Sequence, residues 1–206
     1  MTTLLIAFLL VVVTPFLMAT WRTALATLSL QGLLMGWMVF RREPVSFPET
    51  IIALVDLVAV RGLLVPFMLY RTMRVQNPPR RGDSIPPNML SWTMVGALIA
   101  IAFRFASQLD PVDPASRTTF VAVSALLLGL FTLATQTGVL TQAVGALCIE
   151  NAIALFELGQ DERATPLPIK LGLAAVFLLS ACMYVLYVRW LRPIPAQEPA
   201  AVRPVL

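Results

Sequence analysis

The chain has 206 residues, of which 58% are hydrophobic and 13% are charged, and its formal net charge is +4. A soluble domain of this size is usually about 45–50% apolar and about 25% charged, so the composition excludes an ordinary soluble enzyme and indicates an integral membrane protein. The chain has no histidine and two cysteines, which excludes His-ligated haem, His-based zinc sites and the usual four-cysteine iron–sulfur cluster. We therefore expect no catalytic site, no cofactor-binding site and no metal site on this chain.

Long apolar runs separated by short polar breaks predict an all-α, polytopic membrane protein with seven transmembrane helices in a single domain, residues 1–206. The first run, MTTLLIAFLLVVVTPFLMATW, has no basic start and is followed by Arg22. We expect a retained first helix there and not a signal peptide. The seven predicted spans are 3–19, 22–40, 48–70, 89–109, 118–136, 139–158 and 167–190.

The charges at the ends of the predicted spans are distributed unevenly between the two membrane faces. One face mixes a few arginines with more numerous acids, whereas the other is mainly basic. The basic face collects Arg22, Arg71, Arg74, Arg80, Arg81, Arg189, Arg192 and Arg203. The positive-inside rule then predicts an external N-terminus and a cytoplasmic C-terminus. This topology and anionic lipid account for the sequence pI of 9.7, so no nucleic-acid partner is expected.

Ionisable side chains inside the spans are the candidate functional residues, because such groups are costly in lipid and generally mark ion pathways. A rise of about 1.5 Å per residue places Arg61 and Glu150 near mid-membrane, and we favour a functional role for both. Glu157 and Lys170 flank the last external hairpin, where a structural role with the charge at the interface is the simpler interpretation. The ion-coupling candidates are Glu150, Arg61, Asp56, Arg104, Asn151, Glu157 and Lys170.

The mid-membrane charges predict specific contacts. An unpaired guanidinium in lipid costs at least about 2.5–3.5 kcal/mol, so we expect Arg61 to pair with Glu150 or with an acid of a neighbouring subunit. Asn151 points about 100° away from Glu150 around the helix. It should therefore orient a neighbouring helix or a water and not bond Glu150. Gly32 and Gly36 form a GxxxG pair, which indicates close helix packing.

Two stretches of the sequence carry a resemblance to a known family. RGLLVPFMLY (61–70) places a basic residue before an apolar run, and GALCIENAIAL (145–155) places a carboxylate and an amide side by side. With seven predicted spans, these stretches resemble hydrogenase-4 component E, a membrane subunit of energy-conserving nickel–iron hydrogenase and formate hydrogenlyase complexes. The last three spans, residues 118–192, are also similar to the K subunit of respiratory complex I and the C subunit of multisubunit sodium/proton antiporters.

The resemblance to the K subunit can be followed residue by residue. That subunit has a membrane glutamate one helical turn before an asparagine. Asn151 matches the asparagine, but the matching position for the glutamate is Leu147, and Glu150 follows three residues later on the same helix face. The second buried acid of these relatives is replaced by Ala175. An unbroken glutamate-to-aspartate proton relay within this chain is therefore not expected.

The resemblance implies a non-catalytic membrane-arm subunit of an oxidoreductase complex in a bacterial or archaeal cytoplasmic membrane, which helps to couple electron transfer to proton or sodium translocation. The nickel–iron centre and the iron–sulfur clusters would be bound by partner subunits. The implied partners are membrane lipid and antiporter-like and hydrogenase-like or complex-I-like subunits. The alternatives are a purely structural anchor of such a complex, a component of a multisubunit cation/proton antiporter, and an independent small transporter.

Overall fold

The computed structural model describes residues 2–17, 20–41, 47–76, 89–108, 114–160 and 167–190, and this part of the chain is helical with short turns. The predicted all-α, polytopic membrane fold is confirmed at this level. The helices are α1 (Thr2–Leu17), α2 (Trp21–Phe40), α3 (Phe47–Leu54), a π-helical segment (Val55–Leu64), α4 (Val65–Gln76), α5 (Met89–Ala106), α6 (Pro114–Thr135), α7 (Val139–Gly159) and α8 (Leu167–Trp190).

Six stretches of the described residues are long and apolar enough to cross a membrane, where the sequence predicts seven. The difference lies in α1, which has 16 residues and is about 24 Å long at 1.5 Å per residue. The hydrocarbon core of a bilayer is about 30 Å thick. Residues 18 and 19 of the predicted first span lie outside the described residues. The observed third span is longer than the predicted range 48–70, because it continues through α4 to Gln76.

Helix α1 runs beside α6 in the same direction. At one end, Arg117 Nη1 donates a hydrogen bond to Thr2 Oγ1 at 3.2 Å. At the other end, the rings of Phe16 and Phe131 have centroids 5.8 Å apart. Residues 2–16 therefore follow residues 117–131 in matching register, along most of a helix that is long enough to cross a membrane.

Contacts between helix ends define the two ends of the bundle. Lys170 Nζ lies 3.8 Å from Glu49 Oε2, which brings the start of α8 to the start of α3. The rings of Trp21 and Tyr70 have centroids 5.6 Å apart, which brings the start of α2 to the middle of α4. We refer to these as the Glu49 end and the Trp21 end.

Helices α2 and α7 form the centre of the bundle. Both contribute to an apolar cluster with α1, α5 and α6, which includes Phe8, Met35 and Leu128. Both also contribute to a second cluster with α4 and α8, which includes Leu147 and Phe177. Polar side chains on the inner faces of α2 and α7 are consequently enclosed by protein and not by lipid.

Glycine brings α2 into backbone contact with the π-helical segment. A Cβ atom added to Gly32 would lie 2.5 Å from the backbone nitrogen of Gly62, and one added to Gly36 would collide with the side chain of Val58. Ser29 Oγ also donates a hydrogen bond to the Gly62 carbonyl oxygen. The close packing predicted from the GxxxG pair is confirmed.

Candidate functional site: a buried charge network

The π-helical segment Val55–Leu64 occupies the middle of the third span. In a π-helix each N–H bonds the carbonyl five residues earlier, instead of four. Asp56 and Arg61 are five residues apart, and Arg61 Nε donates to Asp56 Oδ2 at 3.0 Å. In an α-helix the same spacing would separate the two side chains by about 140° around the axis. The sequence predicts a helix here, but only the structure shows the wider register that allows this ion pair.

Arg61 is enclosed by protein, with only 2% of its side chain exposed. Its Nη1 donates to the backbone carbonyl of Glu150 at 3.3 Å and to Asn151 Oδ1 at 3.2 Å. Its guanidinium carbon lies 4.1 Å from the ring centroid of Phe177, a cation–π contact with α8. One side chain thus links the third span to α7 and α8.

The expectation that Arg61 forms an ion pair with the Glu150 carboxylate is wrong. Arg61 pairs with Asp56 on its own span and contacts only the backbone of Glu150. The two residues do lie at the same level, as expected from their positions along the spans. The Glu150 side chain lies near Ser180 of α8, and its Oε2 is buried with no hydrogen-bond partner among the described residues. The physical reason is the angular offset on α7, which turns Asn151 toward Arg61.

Asn151 joins three helices, in agreement with the expectation that it orients a neighbouring helix. Its Oδ1 accepts from Arg61, and its Nδ2 donates to Gln31 Oε1 on α2 at 3.1 Å. Asn151 is fully buried and Gln31 is 2% exposed. Sequence reasoning did not single out Gln31. The available signal was an amide inside a predicted span, directly before Gly32, because helix interfaces in membranes combine small residues with polar ones.

A cavity of about 90 Å³ adjoins the network toward the Glu49 end. Its charged lining residues are Glu49, Asp56, Arg61, Glu157 and Lys170, and we call it the charged cavity. The remaining lining is mostly apolar and comes from α2, α3, the π-helical segment, α7 and α8. Glu157 and Lys170, which the sequence allows as isolated interfacial charges, therefore share a cavity that leads to Arg61.

The structure sorts the seven candidates into four groups. Asp56 and Asn151 both contact Arg61 directly. Glu150 touches this group through its backbone, and Glu157 and Lys170 line the adjoining cavity. Arg104 is exposed on α5 and is not among the cavity-lining residues. The candidates predicted from the sequence did not include Gln31, Phe177 and Glu49.

The side chains of this site offer electrostatic and acid–base chemistry. Three carboxylates and two cations line a small cavity that extends from Glu49 to Arg61, and an amide pair adjoins Arg61 outside this lining. Within the described ranges, no three His, Cys, Asp or Glu side chains are placed to hold a metal ion together. Such an arrangement can hold, stabilise or transfer a positive charge.

Comparisons with known proteins add no relative. A scan against protein-family models finds no matching family, and searches of curated proteins and of solved structures give no match.

Proposed function

We propose that this chain is a non-catalytic membrane-arm subunit of an energy-conserving hydrogenase, formate hydrogenlyase or complex-I-like assembly. In this role it contributes to the coupling of electron transfer to proton or sodium translocation, while partner subunits bind the nickel–iron centre and the iron–sulfur clusters. One observation carries the proposal. The two stretches that carry the family resemblance, 61–70 and 145–155, meet in the structure, because Arg61 bonds both Glu150 and Asn151.

Energetics support a functional reason for this contact. Removing a guanidinium and a carboxylate from water costs several kcal/mol per ion, and well-packed apolar side chains of similar size are often as stabilising or more so. An ionisable group inside a membrane span is therefore a functional hypothesis by default. The Arg61–Asp56 pair also borders the charged cavity, which gives it a polar route toward one membrane face.

A purely structural anchor is the second candidate, and the enclosure of Arg61 favours it. The hydrogen bonds and the cation–π contact of Arg61 tie the third span to α7 and α8, and Asn151 extends the ties to α2. A lock of this kind needs a fixed charge but no exchangeable proton.

The proposed topology has seven spans, with the N-terminus outside and the C-terminus in the cytoplasm of a bacterial or archaeal cell. The matching register of α1 with α6 supports α1 as a seventh span despite its length. Exposed arginines lie near the Trp21 end, which the positive-inside rule assigns to the cytoplasm. They are Arg22, Arg71, Arg74 and Arg189.

Single-cysteine labelling tests this topology. Cys148 and Cys182 are first replaced, and a cysteine is then introduced at position 84, which lies outside the described residues. We expect labelling only after permeabilisation, because the 75–88 connection is cytoplasmic in the proposed topology. Labelling at this position from outside intact cells would contradict the orientation.

The Glu150→Gln and Glu150→Asp variants test the function in native membranes. The tagged chain should first co-purify with hydrogenase-like and antiporter-like subunits. We then expect Glu150→Gln to assemble but to lose most proton translocation coupled to electron transfer, and Glu150→Asp to keep part of it, since only Asp can exchange a proton. A Gln variant that assembles and translocates normally would favour the structural anchor. A monodisperse chain with transport activity of its own would contradict both candidates.

A further inference from the structure

The charged cavity contains more acids than bases. Its lining includes three carboxylates, from Glu49, Asp56 and Glu157, and two cations, from Arg61 and Lys170. Arg61 pairs with Asp56 at 3.0 Å, and Lys170 pairs with Glu49 at 3.8 Å. Glu157 is the third carboxylate of the cavity lining and takes part in neither of these two ion pairs.

The charges that act on Glu157 come from several elements. They are Lys170 of α8 and, on the π-helical segment, Arg61 and Asp56. Glu49 of α3 lines the same cavity. On the side of α6, the neighbouring contact is uncharged, because Gly159 packs against Thr118. Of the two cations that line the cavity, Lys170 pairs with Glu49 and also acts on Glu157.

A lysine can serve two carboxylates in turn. Its ammonium group is a compact charge on a flexible four-carbon stem, and the 3.8 Å distance to Glu49 lies at the long limit of an ion pair. Lys170 and Glu49 are 28% and 40% exposed, so neither side chain is locked in the interior. Movement of Lys170 to Glu157 is consistent with their shared place in the cavity lining.

The leftover carboxylate needs a single positive charge. A partly enclosed carboxylate without its own cation is unfavourable and tends to be neutralised. Within the described ranges, the carboxylates do not converge on one point as the ligands of a metal ion do, which favours a proton over a chelated cation. The cavity volume of about 90 Å³ is enough for several waters at about 10–15 Å³ each, so water can deliver the proton.

We propose that Glu157 is a proton-exchange site and that Lys170 is its switch. When Glu157 is protonated, Lys170 pairs with Glu49, as in this structure. When the Glu157 O–H bond breaks, the proton passes to cavity water and Lys170 moves to the new carboxylate; the reverse step restores the first state, and no electrons are transferred. The biological role of this exchange rests on the proposed coupling function: protons would enter the chain at the Glu49 end through Glu157.

Infrared difference spectroscopy over a pH titration tests the exchange in the full chain, reconstituted in lipid vesicles. We expect a protonated-carboxyl signal that is lost in Glu157→Gln and is retained at a changed frequency in Glu157→Asp. Glu49→Gln should keep the signal but change the midpoint of the titration, because Lys170 then loses its other carboxylate partner. In Lys170→Met the midpoint should also change, because the cation that acts on both carboxylates is gone. A signal that persists unchanged in Glu157→Gln, or a midpoint that does not respond to Lys170→Met, would overturn the proposal.

The infrared test of Glu157 can succeed or fail independently of the proposed coupling function. The infrared titration needs no partner subunit, whereas coupling is measured by proton translocation in native membranes. Should Glu150→Gln translocate normally while Glu157→Gln loses the signal, the coupling role of Glu150 fails and the exchange site stands. If Glu157→Gln is unfolded, the Glu157→Asp variant still decides, because an unchanged carboxyl band in that variant would place the signal elsewhere.

Discussion

The α6–α7 interface and the interface between α2 and the π-helical segment both bring two backbones together at glycine. Between α6 and α7, a Cβ atom added to Gly129 would lie 2.7 Å from a side-chain carbon of Ile149 and 3.0 Å from the carbonyl oxygen of Gly145. Between α2 and the π-helical segment, a Cβ atom added to Gly32 would lie 2.5 Å from the backbone nitrogen of Gly62. The close approach is similar, but the polar groups around it are not.

In the middle and last part of α6, polar side chains bond within their own helix. Ser124 and Thr132 donate to carbonyls four residues earlier in the same helix, so the interface with α7 consists mainly of apolar contacts. In the other interface, the Gly62 carbonyl accepts from Ser29 of α2, and the preceding residue, Arg61, reaches α7. Close packing stabilises the first interface directly. In the second it also fixes the position of a buried charge.

The largest effect is expected from Arg61→Leu, which removes the charge that only the second interface contains. The change leaves the partly buried Asp56 carboxylate and the buried Asn151 Oδ1 without their donor. Breaking a fully buried pair costs about 3–5 kcal/mol, and we expect a loss at the lower end of that range. Arg61→Lys should cost less, because it keeps the charge but loses the planar fork. The free energy of unfolding in mixed detergent micelles checks this order.

A double variant that removes both charges of the Arg61–Asp56 pair provides the control for the Arg61→Leu prediction. The double variant Arg61→Leu/Asp56→Leu should be more stable than Arg61→Leu alone, because no uncompensated carboxylate remains. If Arg61→Leu unfolds like the wild type, the network does not hold the helices together.

A smaller effect is expected from the glycines of the two interfaces. Gly32→Ala should cost about 1–3 kcal/mol, as overpacking does, because its Cβ would meet rigid backbone. Gly129→Ala should cost less, since the nearest backbone atom to its added Cβ is 3.0 Å away, compared with 2.5 Å at Gly32. Gly96, which has nothing within 4 Å of an added Cβ, is the matched control, and Gly96→Ala should gain up to about 1 kcal/mol from helix propensity. Equal losses at Gly32 and Gly96 would argue against backbone contact.

The amide pair should contribute less than the glycine contact. Gln31→Leu leaves Asn151 Nδ2 without its acceptor, at a cost of about 1–3 kcal/mol for an unsatisfied buried group. We expect this cost at the low end, because Asn151 keeps its bond to Arg61. A double-mutant cycle with Asn151→Leu should give a coupling energy of about 0.5–3 kcal/mol. Strict additivity would mean that the two amides act independently.

The smallest effect is expected at Arg104, the candidate that the structure leaves apart from the network. Arg104 is exposed on α5, so Arg104→Gln should change the free energy of unfolding by no more than about 0.5 kcal/mol. Proton translocation in native membranes should also be unchanged. A loss as large as that of Arg61→Lys would show that Arg104 has a partner beyond this chain.

The helices and their approximate ends, and the relative level of Arg61 and Glu150 along the bundle, could be predicted from the sequence alone. These properties are local, because apolar run length defines a span and a fixed rise per residue converts sequence position into depth. For this reason Arg61 and Glu150 were expected at one level, and their contact agrees with that expectation. The GxxxG pair was also readable, since small residues four apart have little use other than close packing.

Only the tertiary structure decided which side chains meet. Depth is set along the helix axis, whereas partners are set by the angle around it, and that angle changed when residues 55–64 took the π register. This register brings Asp56 to Arg61. The packing of the other helices places Gln31 against Asn151 and Glu49 in the cavity lining, and the angle of Glu150 on α7 leaves only its backbone carbonyl to Arg61. The backbone contact of Gly32 with Gly62 joins residues from different spans, so no pattern within one span could show which face of the third helix would turn inward.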